Sequence, residues 1–339
     1  MRLALATRLG LALLAVALGA ASAPAGALAA GTGQPAATTP TATALPVVAT
    51  PVRLQLAGLF AVGHERVTVP GREVVVSGSV TGFAPGQRVE LSASAGGRVF
   101  RRVTLTLVRR GLHGHFATVL RAPRAGRVRV RVAHARDPAM LSFVRSASFA
   151  VLGTHVAPGA HGLFVALIQA RLAALHLFIA RTGVYDSGTE LAIDTYNRLL
   201  GRGEGHTTLS RVALADLLDG VGRFRVRYPR QGRHAEGDLS DQVLAFINGS
   251  RVQWLFPISS GKPSTPTVLG RFQVYLKVPY YTPDGMYFSS FFYSGYAIHG
   301  YDPAPDYPAS HGCMRLPMAD AIPAYDWLKL GDWVDTYYT

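Results

Sequence analysis

The sequence predicts a multidomain, mostly β protein: an N-terminal β-sandwich, a small three-helix domain and a C-terminal β domain. Three observations carry that reading. Short β-rich runs separated by Gly/Pro turns fill residues 51–152 and return over 223–339. Between them, over 158–220, the apolar spacing lengthens to the period of a helix face. The 339 residues are 49% hydrophobic, enough to fill several cores.

The chain opens as an export signal does. Arg2 and Arg8 form a positive stretch, and Leu9 to Leu18 is uncharged and rich in Leu and Ala. Small-residue cleavage sequences follow at Ala21-Ser22-Ala23 and Ala27-Leu28-Ala29. The second is favoured because Pro24 follows the first, so a signal peptide is expected over 1–29. The apolar run is short for a bilayer span. No stable membrane span is therefore expected after cleavage, with an uncleaved anchor as the alternative. Residues 30–50, rich in Ala, Thr, Pro and Gly, read as a flexible linker.

Within 51–152, Glu73 to Val80 is β-rich, Ala84-Pro85-Gly86-Gln87 is a turn signal, and Arg88 to Leu91 alternates polar and apolar residues. Arg127 to Val132 alternates strictly, with one valine face and one arginine face. Strands at about ten-residue spacing suggest an immunoglobulin-like sandwich in the loose sense. His113 and His115 share one strand face, but no third metal ligand is in view.

The net charge of +14 is concentrated here. Residues 51–152 hold sixteen arginines against Glu65, Glu73, Glu90 and Asp137, whereas 153–339 are balanced. Such a segment favours polyanions. In an exported protein these are anionic wall polymers or lipid head groups. Compartment and motifs argue against nucleic acid. The bland alternative is a solvated arginine face.

Over 158–220, Phe164, Leu167, Ile168, Leu172 and Leu175 fall on one helix face, and Thr189, Ala192, Ile193 and Tyr196 on a second. Ser210 is placed to cap a third helix carrying Leu214, Leu217 and Leu218. The pattern Ile168-Gln169-x-Arg171-Leu172-x-x-Leu175, then Gly183-Val184-Tyr185-Asp186-x-x-Thr189-x-x-Ala192, resembles the small peptidoglycan-binding-like helical domain. His176 stands where that family has glycine, and Asn197 where it has glutamine. A plain helical spacer is the alternative.

Over 223–339, strands are expected at Gln242–Ile247, Val252–Ile258, Phe272–Val278, Phe291–Ile298 and Trp333–Tyr337. Asn248-Gly249 signals the first hairpin. A short helix is expected over Met318–Leu330, interrupted at Pro323. His299 then lies just past a strand end, and Cys313 in or after the loop that follows.

Cys313 is the only cysteine of the chain. In an exported protein a lone thiol is either inert and buried or kept for reactivity. A thiol attacks as thiolate, and a neighbouring histidine can take its proton and hold the imidazolium–thiolate pair. Two histidines compete for that role. His299 reaches Cys313 across the loop, and His311, two residues away, would point the same way in an extended segment. Gly312 frees the backbone beside the sulfur, so its amide and that of Cys313 can face a developing oxyanion. A zinc site of His299, His311 and Cys313 is the other alternative.

His299-Gly300, followed by Ser310-His311-Gly312-Cys313-x-Arg315, resembles the catalytic motif of the L,D-transpeptidase family. Upstream, the Asn-Gly hairpin, Ser259-Ser260-Gly261-Lys262 and Thr265-Pro266-Thr267-x-x-Gly270-x-Phe272 match in order, so the resemblance spans 236–339. Val268 departs from the family's usual second proline. The resemblance implies an L,D-transpeptidase β-sandwich-like catalytic domain over 223–339. It implies Cys313 as nucleophile, His299 as base and the Gly300 carbonyl as the group orienting the imidazole. It also implies oxyanion amides from His311, Gly312 and Cys313, and substrate contacts from Ser310 and Arg315. The implied reaction is acyl transfer between peptidoglycan stem peptides, giving 3→3 crosslinks outside the cytoplasmic membrane, without metal or organic cofactor. Hydrolysis of the same thioester, a carboxypeptidase outcome, and an inactive wall-binding protein are the alternatives.

Overall fold

In the computed structural model the described residues are 52–138, 140–203 and 205–339. The expected signal and linker lie outside them. Among the described residues no helix is long and apolar enough to cross a membrane.

The N-terminal segment forms ten strands: β1 (Val52–Ala57), β2 (Phe60–Val62), β3 (Glu65–Thr68), β4 (Glu73–Thr81), β5 (Arg88–Ala95), β6 (Arg98–Thr106), β7 (Val108–Arg110), β8 (His113–Arg121), β9 (Gly126–His134) and β10 (Phe143–Val151). They make two sheets, ordered β1-β4-β8-β7 and β2-β3-β10-β9-β5-β6. One apolar core joins them, with Val74, Val76 and Val80 from the first sheet meeting Val89, Leu91, Val130 and Phe149 from the second. On β9 the strict alternation is literal. Val128, Val130 and Val132 are fully buried, while Arg127, Arg129 and Arg131 are exposed.

Three helices follow: α1 (Leu163–Ala174), α2 (Ser187–Leu199) and α3 (Arg211–Asp219). Their starts are capped by side chains. Asp186 Oδ1 accepts the Thr189 amide at 2.8 Å, and Ser210 Oγ accepts that of Ala213 at 3.1 Å. Gly220, with φ 75°, closes α3. The apolar faces read from the sequence are buried. They share a core with Val62 and Val67 of the sandwich and with Val243, Ala245, Ile247 and Leu255 of the next segment.

That next segment holds two sheets and a helix. The five-stranded sheet is built from β11 (Arg233–Asp238), β12 (Val243–Asn248), β13 (Arg251–Pro257), β14 (Gly270–Gln273) and β19 (Trp333–Tyr337), ordered β13-β12-β11-β19-β14. The four-stranded sheet is β15 (Leu276–Tyr281), β16 (Tyr287–Tyr293), β17 (Tyr296–Gly300) and β18 (Met314–Leu316), in that order. The helix α4 spans Met318–Trp327. Leu244, Phe246, Phe256, Phe292, Ile298, Met314, Leu316 and Val334 fill the space between the sheets.

Several expectations need correction. The run Phe272–Val278 is not one strand, because Val274 and Tyr275 carry the chain from the five-stranded sheet to the other. The run Phe291–Ile298 is also two strands, broken by a tight turn at Ser294-Gly295, where Ser294 takes φ 45°. His299 therefore sits inside β17 rather than past its end. The first hairpin turns on Gly249-Ser250, since Asn248 pairs with Arg251. Finally, α4 runs through Pro323. The carbonyl that loses its partner belongs to Ala319, an exposed residue, so water can replace the missing donor.

His176 ends α1 with φ 72°, a left-handed conformation that glycine adopts without strain. Its carbonyl accepts the Leu255 amide at 2.8 Å, and the Phe178 amide donates back to the Leu255 carbonyl at 2.9 Å. The helical segment is thus stitched to the edge of β13. His176→Gly is expected to raise stability by about 1 kcal/mol, read as a higher denaturation midpoint at unchanged slope. A lower midpoint would show that the imidazole outweighs the backbone strain.

Candidate functional site

β17 and β18 lie side by side and parallel, with Ile298 opposite Met314, His299 opposite Arg315 and Gly300 opposite Leu316. Side chains alternate across a sheet. Ile298, Met314 and Leu316 enter the core, so His299, Arg315 and the residue just before β18, Cys313, share the opposite face. Histidine and cysteine are 14 positions apart in sequence, yet Cys313 directly precedes Met314, the partner of Ile298, which directly precedes His299.

His299 is 2% exposed, and its Nδ1 lies 2.9 Å from the Gly300 carbonyl. A carbonyl only accepts, so Nδ1 carries the proton and Nε2 keeps its lone pair. Burial pushes the imidazole down to about 4, with the Arg315 charge adding and the Gly300 bond opposing. Burial also pushes the Cys313 thiol up, against smaller downward effects of the Ala297 backbone and Arg315. The thiol donates to the Gly295 carbonyl at 3.6 Å. Both partners are accordingly neutral at pH 7. Burial thus works against the imidazolium–thiolate pair expected from the residue types, since it disfavours the charged form of both groups.

Ser310 is enclosed in the turn that carries Cys313. It is 1% exposed, its hydroxyl donates to the Cys313 carbonyl at 2.6 Å, and it accepts the Gly312 amide at 3.0 Å. Its one donor proton is used inside the turn. The same hydroxyl occupies the Gly312 amide, which therefore leaves the expected oxyanion set. The positive φ of Gly312, 119°, also breaks the extended geometry that made His311 a rival base. His311 is exposed, whereas His299 is buried and anchored. Arg315 stays half-exposed, with its guanidinium 3.9 Å from the Tyr301 ring centroid.

Two glycines of the motif are required by close packing. A Cβ on Gly312 would lie 2.4 Å from the Tyr296 ring, and one on Gly300 would lie 2.6 Å from Ala321 Cβ of α4. The upstream motif forms a cradle under the turn. Thr267 Oγ1 accepts the Gly261 amide at 2.9 Å and donates to the Gly312 carbonyl at 2.8 Å. Thr265 Oγ1 donates to the Ser310 carbonyl at 3.1 Å. Sequence reasoning took this Thr-Pro-Thr stretch only as a matched pattern. Paired hydroxyls flanking Pro266 were the available signal. Gly295, whose carbonyl holds the thiol, was missed because the Ser294-Gly295 turn lay inside an apparent strand.

Two outcomes follow from this electrostatics and packing. The unfolded chain binds a proton on His299 near pH 6.5, the folded chain only near 4. Stability should therefore fall as pH drops from 6.5 to 4, by up to about 3 kcal/mol from this group. His299→Gln should flatten that part of a pH–stability curve; an unchanged slope would contradict the burial argument. Thr267→Val keeps shape but leaves a buried amide and a buried carbonyl without partners, a loss of about 2–4 kcal/mol in denaturant unfolding.

Comparison with known proteins places these blocks. The family model of the YkuD L,D-transpeptidase catalytic domain matches residues 232–335. No curated protein sequence matches the chain. Among solved structures, an L,D-transpeptidase from Xylanimonas cellulosilytica is 27% identical, with a TM-score of 0.49, covering 55% of this chain and 98% of its own. The catalytic domain of the E. faecium L,D-transpeptidase is 25% identical, with a TM-score of 0.29, covering 32% of this chain and 98% of its own. An L,D-transpeptidase from Mycobacterium smegmatis is 14% identical, with a TM-score of 0.28, covering 85% and 100%. The buried histidine and the lone cysteine thus both lie in the segment, residues 232–335, that matches the YkuD L,D-transpeptidase catalytic domain.

Proposed function

We propose that this protein is a peptidoglycan L,D-transpeptidase that forms 3→3 crosslinks through a thioester on Cys313. The observation that carries the reading is the shared face of His299 and Cys313, with Nδ1 fixed by Gly300 and Nε2 open. As the sulfur attacks the carbonyl of the third stem residue, the thiol proton passes to His299 Nε2. Negative charge builds on the carbonyl oxygen. The amides of His311 and Cys313 stabilise it there, since that of Gly312 is held by Ser310. The C–N bond breaks, His299 returns the proton to the departing D-alanine, and a thioester remains. A side-chain amine of a second stem attacks the thioester, loses its proton to His299 and regenerates the thiol. Arg315, half-exposed beside the site, suits a substrate carboxylate.

The neutral resting pair makes this general-base catalysis coupled to attack rather than attack by a standing thiolate. It also gives a pH test. Alkylation of Cys313 by iodoacetamide should rise about tenfold per pH unit through neutrality without a plateau, because the thiol titrates above its usual range. A plateau near pH 5 would mean a stable ion pair. The reaction itself is tested with purified disaccharide-tetrapeptide and mass spectrometry. A crosslinked dimer lost in Cys313→Ala is expected. A tripeptide product alone means that water resolves the thioester, and an unaltered dimer yield in Cys313→Ala overturns the proposal.

The N-terminal segment, read as an immunoglobulin-like sandwich over 51–152, is proposed to hold an anionic wall polymer, and the helical segment over 158–220 to derive from a peptidoglycan-binding-like domain. Arg129 and Arg131 project from β9 between serines of both flanking strands, Arg131 opposite Ser92 and Ser146, Arg129 opposite Ser94 and Ser148. Their neighbours Arg127 and Arg102 are instead paired with Glu65 and Glu90. A protein exported to the wall would meet phosphodiester polymers on this face. Sedimentation with poly(glycerol phosphate) should weaken several-fold in the double variant Arg129→Ser/Arg131→Ser and vanish at high salt; salt-independent binding would count against it.

A further inference from the structure

We infer that the helical segment is a structural brace of the catalytic turn, acting through Arg198, Gln242 and Ser260 as positioning residues. Arg198, on α2, is 3% exposed and forms an ion pair with Asp194 at 3.0 Å, both side chains being buried. Such a pair is costly to bury and holds its geometry only when its remaining donors are used. Here Nη2 donates to Thr195 Oγ1 at 3.2 Å. Nη1 leaves the helical segment altogether and donates to the carbonyls of Asp241 at 3.1 Å, Gln242 at 3.2 Å and Asp306 at 3.4 Å.

Asp306 lies in the loop between His299 and Cys313, and its carboxylate accepts the Gly205 amide at 3.1 Å. The loop is therefore held from the helical side at two points. Gln242 carries the second route. It is 1% exposed and takes φ 50°, a strained conformation for a long side chain. Its amide group grips Ser260 twice, with Oε1 accepting the Ser260 amide at 2.8 Å and Nε2 donating to Ser260 Oγ at 2.8 Å. The Ser260 carbonyl in turn accepts the amides of Ala309 and Ser310, both at 2.9 Å. Ser310 then fixes Gly312 and Cys313 through its hydroxyl. An unbroken line of hydrogen bonds thus joins α2 to the nucleophile turn. The strain at Gln242 is maintained because this residue is held from both ends.

The proposal rests on Cys313 being the nucleophile, and its test separates the two ideas. Gln242→Asn tolerates the positive φ better than glutamine does, yet is too short to grip Ser260. The full-length variant should remain folded, with a thermal midpoint lowered by the unpaired Ser260 amide. Its kcat for acyl transfer on disaccharide-tetrapeptide should fall roughly tenfold with KM nearly unchanged, as displaced catalytic groups produce. Arg198→Lys should give a similar split, and the double variant should lose little more than either single one. Iodoacetamide alkylation of Cys313, which needs no peptide substrate, should show a shifted pH profile in both variants. Parent-like kcat and alkylation profile in a folded Gln242→Asn protein overturn the brace. A shifted alkylation profile in a protein whose parent processes no stem peptide keeps the brace and overturns the proposed reaction.

Discussion

Two hydrogen bonds of Ser310 shape the turn that carries Cys313. Ser310 is bridged to Gly261, but His311 to Cys313 lie outside the strands, and the buried Gly312 amide needs a partner there. Ser310 Oγ takes the Gly312 amide and gives its proton to the Cys313 carbonyl. The turn is thereby closed on itself, with the sulfur leaving it toward Gly295. Thr265 and Thr267 then bind the outward carbonyls of Ser310 and Gly312 from below. Tyr296 fills the space where any residue but glycine would place a Cβ at position 312. Each contact constrains the same few backbone atoms, which is how a loop can hold a cysteine with the precision of a sheet.

The electrostatics follow from that burial. A histidine pushed down to about 4 and a thiol pushed up are poor ions and adequate partners for a concerted proton transfer. Their environment disfavours the charged form of each. The price is a thiol of low standing reactivity, which suits a protein proposed to work outside the cell, where oxidants reach thiolates first.

Much of this was legible in advance. The helix faces of Phe164 to Leu175 and Thr189 to Tyr196, the Ser210 cap, the β9 alternation and the strand at Trp333–Tyr337 follow from local periodicity and capping, which need no tertiary context. The errors cluster where local signals conflict with topology. Phe272–Val278 and Phe291–Ile298 are continuous apolar runs, yet each crosses between strands, because a sheet change costs only one or two residues and leaves no compositional mark. Pro323 reads as a break, but its lost bond falls on an exposed carbonyl.

The sequence by itself determined which residues are proposed to carry the chemistry: one cysteine, one histidine before a glycine, and the motif order around them, all fixed by residue type. It also determined the basic character of the N-terminal segment, a matter of counting charges. Only the tertiary structure decided how these groups are poised. That Ser310 closes the turn, that the Gly312 amide is already engaged, that burial disfavours charge on His299 and Cys313, and that Arg198 reaches from α2 to the loop holding Asp306 are consequences of burial and of contacts between distant segments. Desolvation and through-space hydrogen bonding depend on which atoms become neighbours, and residue order specifies that only through the completed fold.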